Sequence, residues 1–321
     1  MKRYIFKRIL TGFLVVVFSV MFNFAIIRLA PGDPTRRLAG KDNPNPATMA
    51  ALQEKYGLNK SIPEQFGIYV KQLLHGDFGY SYVATAKVSD LIKTRVAPTL
   101  MIALTGAILG LAFGTLLGVF AARKKGSRID TFLCCISYFF DSTPSFWLGL
   151  MMILVFSSLL GWTPTSGMYN LRANAVGFAR FLDLLHHMAL PVTTLVLIDI
   201  PYYFRIARSS VLQTMSEDFI MTLRATGMSE RRIFNKYVMR NAIIPTVTVF
   251  GITLAYMITG VAMIEIIFAW PGMGRLMLDS ITRRDYPTLS AIYLLLSTSV
   301  AVMMIVVDIV YAWIDPRIRV E

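Results

Sequence analysis

Charge and cysteine are both scarce in this sequence. Only 16% of its 321 residues are charged, where a soluble domain has about a quarter. The two cysteines, Cys134 and Cys135, are adjacent in an apolar stretch, so they make neither a disulfide framework nor a metal site. Histidine occurs three times. Adjacent His186 and His187 point to different sides of a helix and lack a third ligand, which reads as interfacial side chains, not a metal centre. No Gly-rich loop ends in Gly-Lys-Ser/Thr, which argues against nucleotide binding by this chain. Neither His-Glu-x-x-His nor Gly-x-Ser-x-Gly occurs, which argues against an intramembrane enzyme.

Apolar residues are what the chain has in plenty. They make up 55% of it, with 21 Phe and 18 Met, and mean hydropathy is +0.57. Such a chain uses lipid as its solvent, and the unit to count is the span of about 20 residues. Six stretches qualify: 9–27, 98–122, 129–160, 190–206, 243–268 and 289–313. The third is overlong and is expected to be tilted or broken near Ser142-Thr143-Pro144. The fourth is short and holds Pro191, Asp199 and Pro201. The first follows Lys2, Arg3, Lys7 and Arg8, as a signal peptide would. Its apolar run exceeds a signal core and no small-residue cleavage site follows, so it reads as an uncleaved span.

Lys+Arg number 32 against 19 Asp+Glu, a net charge of +13, and their placement decides what the excess means. Four lie at the N-terminus, four in loop 123–131, seven in loop 205–241 and two in the C-terminal tail. The short loops of the opposite side carry two (Arg172, Arg180) and three (Arg275, Arg283, Arg284). The other ten fall in segment 28–97, which is long enough to be exempt from the positive-inside rule. Both termini are therefore expected in the cytoplasm, and the basic excess is topology, not a nucleic-acid footprint. The expected organisation is an N-terminal tail and first span (1–28), an external helical subdomain (29–97), a five-helix core (98–313) and a cytoplasmic tail (314–321). In the subdomain, Asn45-Pro46 reads as a helix start and Gly57 as its stop, with a second helix from Ser61–Pro63 to just before Gly76.

The cytoplasmic loop 205–241 is patterned. Residues 217–226 suit a short helix with Glu217 and Asp218 in the dipole-favoured first turn, and Gly227 supplies a left-handed cap. Ser229 then caps a second helix through Arg231, Arg232, Lys236 and Arg240, with Ile233, Tyr237 and Val238 on its apolar side. Helix, glycine turn and helix lead straight into a span. Such a hairpin offers a short helix to a groove on a partner. The plainer reading is a solvated basic loop beside anionic lipid.

Glu217-Asp218-Phe219-Ile220 through Thr222-Leu223-Arg224-Ala225-Thr226-Gly227, then Arg240-Asn241-Ala242-Ile243-Ile244-Pro245, resembles the coupling-loop signature of binding-protein-dependent ABC transporter permeases. More narrowly, it is similar to the first of the two permeases of dipeptide, oligopeptide and nickel importers. Arg28-Leu29-Ala30-Pro31-Gly32-Asp33-Pro34, His75-Gly76-Asp77-Phe78-Gly79 and Pro144-Ser145-Phe146-Trp147-Leu148-Gly149 are similar to further motifs of that family. So are Glu265 to Gly274, Arg284-Asp285-Tyr286-Pro287 and Asp315-Pro316-Arg317-Ile318-Arg319. The chain departs from the wider superfamily at Met221-Thr222-Leu223, where Glu-Ala-Ala is usual, and at Arg240, where proline is. Leu223 and Thr226 also depart from the peptide branch.

The resemblance implies an all-α, six-span permease of the type I ABC importer kind in a bacterial inner membrane. It implies a second, homologous permease, two ABC ATPases and an external substrate-binding protein as partners. ATP and Mg would sit on the ATPases, with no cofactor on this chain. The contact to the ATPase would fall to Glu217, Asp218, Thr222, Arg224, Ala225, Gly227, Met228, Ser229, Arg231 and Arg232. Short peptides are the implied cargo, with nickel, a metal chelate, glutathione or cell-wall peptides as alternatives in the same family. A secondary transporter is the rival class. It would usually show inverted repeats or more buried coupling charges, and would not need the glycine-turn hairpin.

Charge inside lipid is costly, so each intramembrane carboxylate is a candidate. At about 1.5 Å per residue, Asp141 lies about 18 Å up the third span and Asp199 about 13 Å down the fourth, both near mid-depth. Either lines a water-filled pathway and meets a peptide's ammonium group, or pairs with a neighbouring Arg or caps a broken helix. Glu265, near the outer end of the fifth span, reads as a gate element or an interfacial side chain, and the resemblance favours the gate. Asp308, near the inner surface, is expected to pair with a basic residue.

Overall fold

The computed structural model describes residues 2–29, 59–84 and 86–314, and within them it leaves out the side chains of 2–5, 27–29, 255–256, 258–260 and 308–314. The Asn45-Pro46 and Gly57 signals, the Asp315–Arg319 motif and the Asp308 side chain therefore lie outside the described part. Every regular element within it is helical. Five helices are long and apolar enough to cross a membrane, or six when a sharply bent pair counts as one span.

Two compact units are present, Met1–Ala97 with Leu276–Val302, and Pro98–Arg275 with Met303–Glu321. In the first, α1 (Lys2–Leu29) carries the first apolar run, and α2 (Ile62–Leu74) follows. The start of α2 is a capping box, in which the Ser61 backbone N–H donates to the Glu64 carboxylate at 3.1 Å. Phe24 of α1 packs edge-on against Phe66, with ring centres 5.2 Å apart. After α2, the turn at Gly76 to Gly79 leads to a carboxylate that gathers the unit together. Buried Asp285 accepts from the Ser81 hydroxyl at 2.5 Å, the Tyr82 N–H at 3.0 Å and the Thr288 hydroxyl at 2.7 Å. Asp285 thereby ties the loop before α3 (Val88–Arg123) to the start of α13 (Tyr286–Ile314). Burying a carboxylate costs free energy unless such donors satisfy it.

The second unit is built on close contact between α3 and α6 (Gly177–Met215). Gly106, Gly110, Gly114 and Gly118 recur every fourth residue, so they lie along one face of α3. A Cβ at these positions would meet Leu195 at 2.8 Å, Asp199 at 2.7 Å, Tyr203 at 2.7 Å and the Phe204 carbonyl at 2.5 Å. Small residues at this spacing let two backbones approach, which is how helices associate where lipid is as apolar as leucine.

The third apolar stretch is broken where its sequence predicts. α4 (Arg128–Ser142) and α5 (Ser145–Met152), which runs on through a π-helical turn at Ile153–Leu159, meet at 101°. Proline disfavours helical backbone in the residue before it, and Thr143 is extended at ψ 124°.

Two expected boundaries differ. The fourth span is not a short segment of 190–206 but part of 39 helical residues, about 58 Å at 1.5 Å each. Leu184, His187 and Met188 at one end and Ala207, Val211 and Thr214 at the other are buried, and Arg180, Asp183, His186, Arg205, Arg208 and Gln213 lower the hydropathy of the two extensions. The loop expected in the cytoplasm consequently begins near Ser216, not Arg205. The helix that carries the fifth span likewise starts before it, running from Glu230 through a π-helical turn (Ile233–Val238) and α9 (Met239–Ala242) into α10 (Ile244–Gly260).

Candidate functional site

The glycine-turn hairpin is α7 (Asp218–Ala225) followed by α8 (Glu230–Arg232) and its continuation. Glu217 occupies the N-cap position of α7 in extended backbone, and Asp218 sits in the first turn. Gly227 adopts φ +76°. Its N–H donates to the Arg224 carbonyl at 2.9 Å and the Met228 N–H to the Leu223 carbonyl at 3.3 Å, the paired bonds of a Schellman cap. Ser229 holds the next N-cap position, but its hydroxyl makes no capping bond, and its carbonyl accepts from the Arg232 N–H at 2.9 Å and the Ile233 N–H at 3.0 Å. Across the turn, Arg224 binds Glu230 with two hydrogen bonds of 2.6 and 3.2 Å. The Glu230 carboxylate raises the Arg224 guanidinium above its usual pKa.

One face of the hairpin is anchored and the other is open. Ile220, Ile233, Phe234 and Val238 form a cluster with Ala122 at the end of α3 and Val211 near the end of α6, and Leu223 and Met228 pack at its edge. Phe219, Thr222, Arg224, Ala225, Thr226, Arg231 and Arg232 are exposed, and Met221 is 66% exposed although apolar. A partner pushing on α7 therefore pushes, through Ile220, on the ends of two long membrane helices. The π-helical turn beneath it is a wide turn of the kind that often marks functional positions.

A second tie lies close by in the fold. Arg208 of α6 donates to both oxygens of Asp130 of α4 at 2.8 Å, and the Gly126 N–H adds a third bond at 3.0 Å. Asp130 is 4% exposed. Reading the sequence for intramembrane carboxylates missed this pair, because Asp130 sits at the margin of its span and its partner is 78 residues away.

The sequence-predicted pathway residues have different settings. Asp141 pairs with Arg205, and both side chains are about two-fifths exposed. Asp199 is half-buried, lies against Gly110, and makes no hydrogen bond or ion pair among the described residues. Glu265 of α11 (Ala262–Ile267) is fully buried, so it is not the interfacial side chain that was the alternative expectation. Its carboxylate accepts from the Thr99 hydroxyl at 2.5 Å and the Arg275 N–H at 3.0 Å. Thr99 in turn accepts from the Met273 N–H at 2.7 Å, and the Trp270 indole donates to the Pro98 carbonyl at 2.8 Å. Gly272 lies so close to Glu265 that a Cβ there would sit 2.1 Å from the carboxyl carbon. Glu265 thus braces the Trp270–Gly272 turn before α12 (Met273–Arg283) against the start of the second apolar run. These motif residues were visible in the sequence, but the burial comes from Thr99, 166 residues away. His186 reaches the Trp162 carbonyl and His187 reaches Asp183, so the two rings have separate partners. Among the described residues, no three His, Cys, Asp or Glu side chains gather as a metal site would need.

Comparison with known proteins fits this arrangement. Residues 114–320 match the family described as binding-protein-dependent transport system inner membrane component, and residues 1–103 match its N-terminal companion. The chain is 37% identical over 313 residues to the di/tripeptide transport system permease protein DppB of Pseudomonas aeruginosa, covering 93% of each chain. It is 36% identical to the oligopeptide transport system permease protein AppB of Bacillus subtilis, covering 99% of this chain and all of that one. It is 35% identical to the glutathione transport system permease protein GsiC of Salmonella typhimurium, covering 99% of both. Among solved structures, an inward-facing form of the MetNI methionine ABC transporter aligns at TM-score 0.56 and 18% identity, over 70% of this chain and 96% of that one, which shows a shared fold. The chain belongs to the family of binding-protein-dependent transport system inner membrane components.

Proposed function

We propose that this chain is the permease subunit of an ATP-driven importer that receives short peptides from an external binding protein and passes them to the cytoplasm. Its own work is mechanical. A second permease completes the pathway, and two ATPases bind ATP and Mg beneath it. The observation that carries the reading is the hairpin, whose exposed α7 face offers Glu217, Asp218, Thr222, Arg224, Ala225 and Gly227 to a partner while Ile220 locks it to the ends of α3 and α6. A bistable packed element of this kind converts closure of a partner into rigid-body movement of spans. Both termini and the hairpin face the cytoplasm in this reading, as the Lys/Arg distribution supports.

Within the membrane, Asp199 offers a carboxylate without a protein partner to the ammonium group of a peptide. Asp141 is held by Arg205 and acts with it as a pair. Glu265 governs the outer end by holding the Trp270–Gly272 turn to Thr99. Peptides are the cargo best supported, since relatives over nearly the whole chain are a di/tripeptide and an oligopeptide permease. Glutathione is the second reading, supported by relatives 35% identical.

The test is uptake of a labelled dipeptide in cells lacking their own peptide permeases and carrying this chain with its neighbouring transport genes. Depleting ATP should stop uptake, and collapsing the ion gradients with ATP maintained should leave it. The opposite pattern makes the chain a gradient-driven carrier. Transport of glutathione but no dipeptide selects the second reading.

A further inference from the structure

The helix that follows the hairpin turn adjoins a second basic segment of the chain. Arg123 ends α3, Lys124 and Lys125 follow in the turn, and the Arg123 guanidinium lies over the Phe234 ring at 4.4 Å from its centre. That contact brings the basic turn after α3 against the helix that carries Arg231, Arg232, Lys236 and Arg240. On the same helix Ser229, Arg231, Arg232, Asn235 and Lys236 line an open depression of about 490 Å³. Its lining offers cationic, hydroxyl and amide donors and no carboxylate. Of the acids on these elements, Asp130 is engaged by Arg208 and Glu230 by Arg224. Arg123, Lys124, Lys125, Lys236 and Arg240 make no ion pair among the described residues, and all five are exposed.

Depth identifies the occupant. Lys124 and Lys125 follow directly on the apolar run that ends at Ala122. Arg240 and Lys236 precede the apolar run at Ile243 by about 5 and 10 Å at 1.5 Å per residue. A bilayer's headgroup layer extends several ångströms beyond its hydrocarbon on each side. Both segments therefore end up beside lipid phosphates, and the Arg123–Phe234 contact joins them at that level.

We propose that Arg123, Lys124, Lys125, Lys236 and Arg240 form one docking ledge for the headgroups of anionic phospholipid, with the Lys236 side of the depression as its outer end. Lipid bound there would hold the rear of the hairpin while α7 remains free for its protein partner. This inference requires that the chain span a membrane and does not depend on the ATPase joint.

The test uses the purified chain in phosphatidylcholine bilayers with spin-labelled phosphatidylglycerol or spin-labelled phosphatidylcholine as the probe. At low salt the wild-type chain should hold phosphatidylglycerol about fivefold more tightly than phosphatidylcholine, since each basic residue near the surface attracts anionic lipid. The pairs Lys124→Gln with Lys125→Gln, and Lys236→Gln with Arg240→Gln, should each reduce that ratio about twofold, and all four together should bring it near one. Salt at 0.5 M, where screening acts within about 4 Å, should lower the wild-type ratio without any substitution and so tests the ledge independently of folding. Equal binding of the two lipids by the wild-type chain overturns the proposal. So does a preference that survives in either folded pair variant, which would assign it to other basic residues. Loss of ATP-driven uptake with the preference intact would count against the permease reading and not against the ledge.

Discussion

Substituting Gly118 by alanine tests the closest approach along the glycine stripe of α3. A Cβ at Gly118 would stand 2.5 Å from the Phe204 carbonyl oxygen and 3.0 Å from the Ala207 Cβ. The first of these neighbours is backbone, so no side-chain rotation relieves the clash, and α3 and α6 must part by about 1 Å to restore van der Waals distance. Overpacking of this sort costs about 1–3 kcal/mol, against which the higher helix propensity of alanine returns about 1 kcal/mol. Net destabilisation of about 0–2 kcal/mol is expected. Gly67→Ala in α2 is the matched control, because nothing lies within 4 Å of its Cβ position and its backbone is helical. That variant gains the propensity term alone and should be stabilised by about 0.5–1 kcal/mol. Unfolding in mixed micelles with increasing SDS, followed by circular dichroism, measures both. The reasoning fails if Gly118→Ala is stabilised as much as Gly67→Ala, for then the two spans do not touch along the glycine stripe.

Asp130→Ala leaves Arg208 without its acceptor and should destabilise by about 2–4 kcal/mol, short of the full cost of breaking a buried pair because the Arg208 side chain keeps 27% exposure. Adding Arg208→Met should recover most of that loss in the same SDS titration, and a double variant no better than the single one contradicts the pairing. Gly227→Ala meets no steric neighbour but forces a left-handed backbone at a cost of about 1–2 kcal/mol. It should lower peptide uptake with little change in membrane insertion, which cell fractionation checks. Asp199→Asn should abolish uptake and leave insertion intact, and normal uptake would remove Asp199 from the pathway.

How far the sequence carried depended on the range of each interaction. The α7 hairpin was legible because its signals are local: acids in a first turn, apolar Ile220 and Leu223 one helical turn apart, then Gly227. The break at Thr143–Pro144 was legible for the same reason. Helix length was not, since Arg180, Asp183, Arg205 and Arg208 lower the hydropathy at the ends of α6 while the helix runs on through them. The settings of the carboxylates were least legible. Asp285, Glu265 and Asp130 take partners 204, 166 and 78 residues away, and nothing local distinguishes them from Asp199, which has none among the described residues. The Gly-x-x-x-Gly spacing from Gly106 to Gly118 was in plain sight as a packing signal and predicts the α3–α6 contact once it is read that way.

The most direct test of the coupling role is a crosslink from the tip of the hairpin. Thr226→Cys, on the exposed turn, and Met228→Cys, half-buried beside it, are paired with surface cysteines on the co-expressed ATPase. The account predicts a crosslink at Thr226→Cys whose yield changes when ATP is added. No crosslink from either site to any ATPase position, with uptake intact, would contradict it and leave the hairpin as a lipid-facing loop.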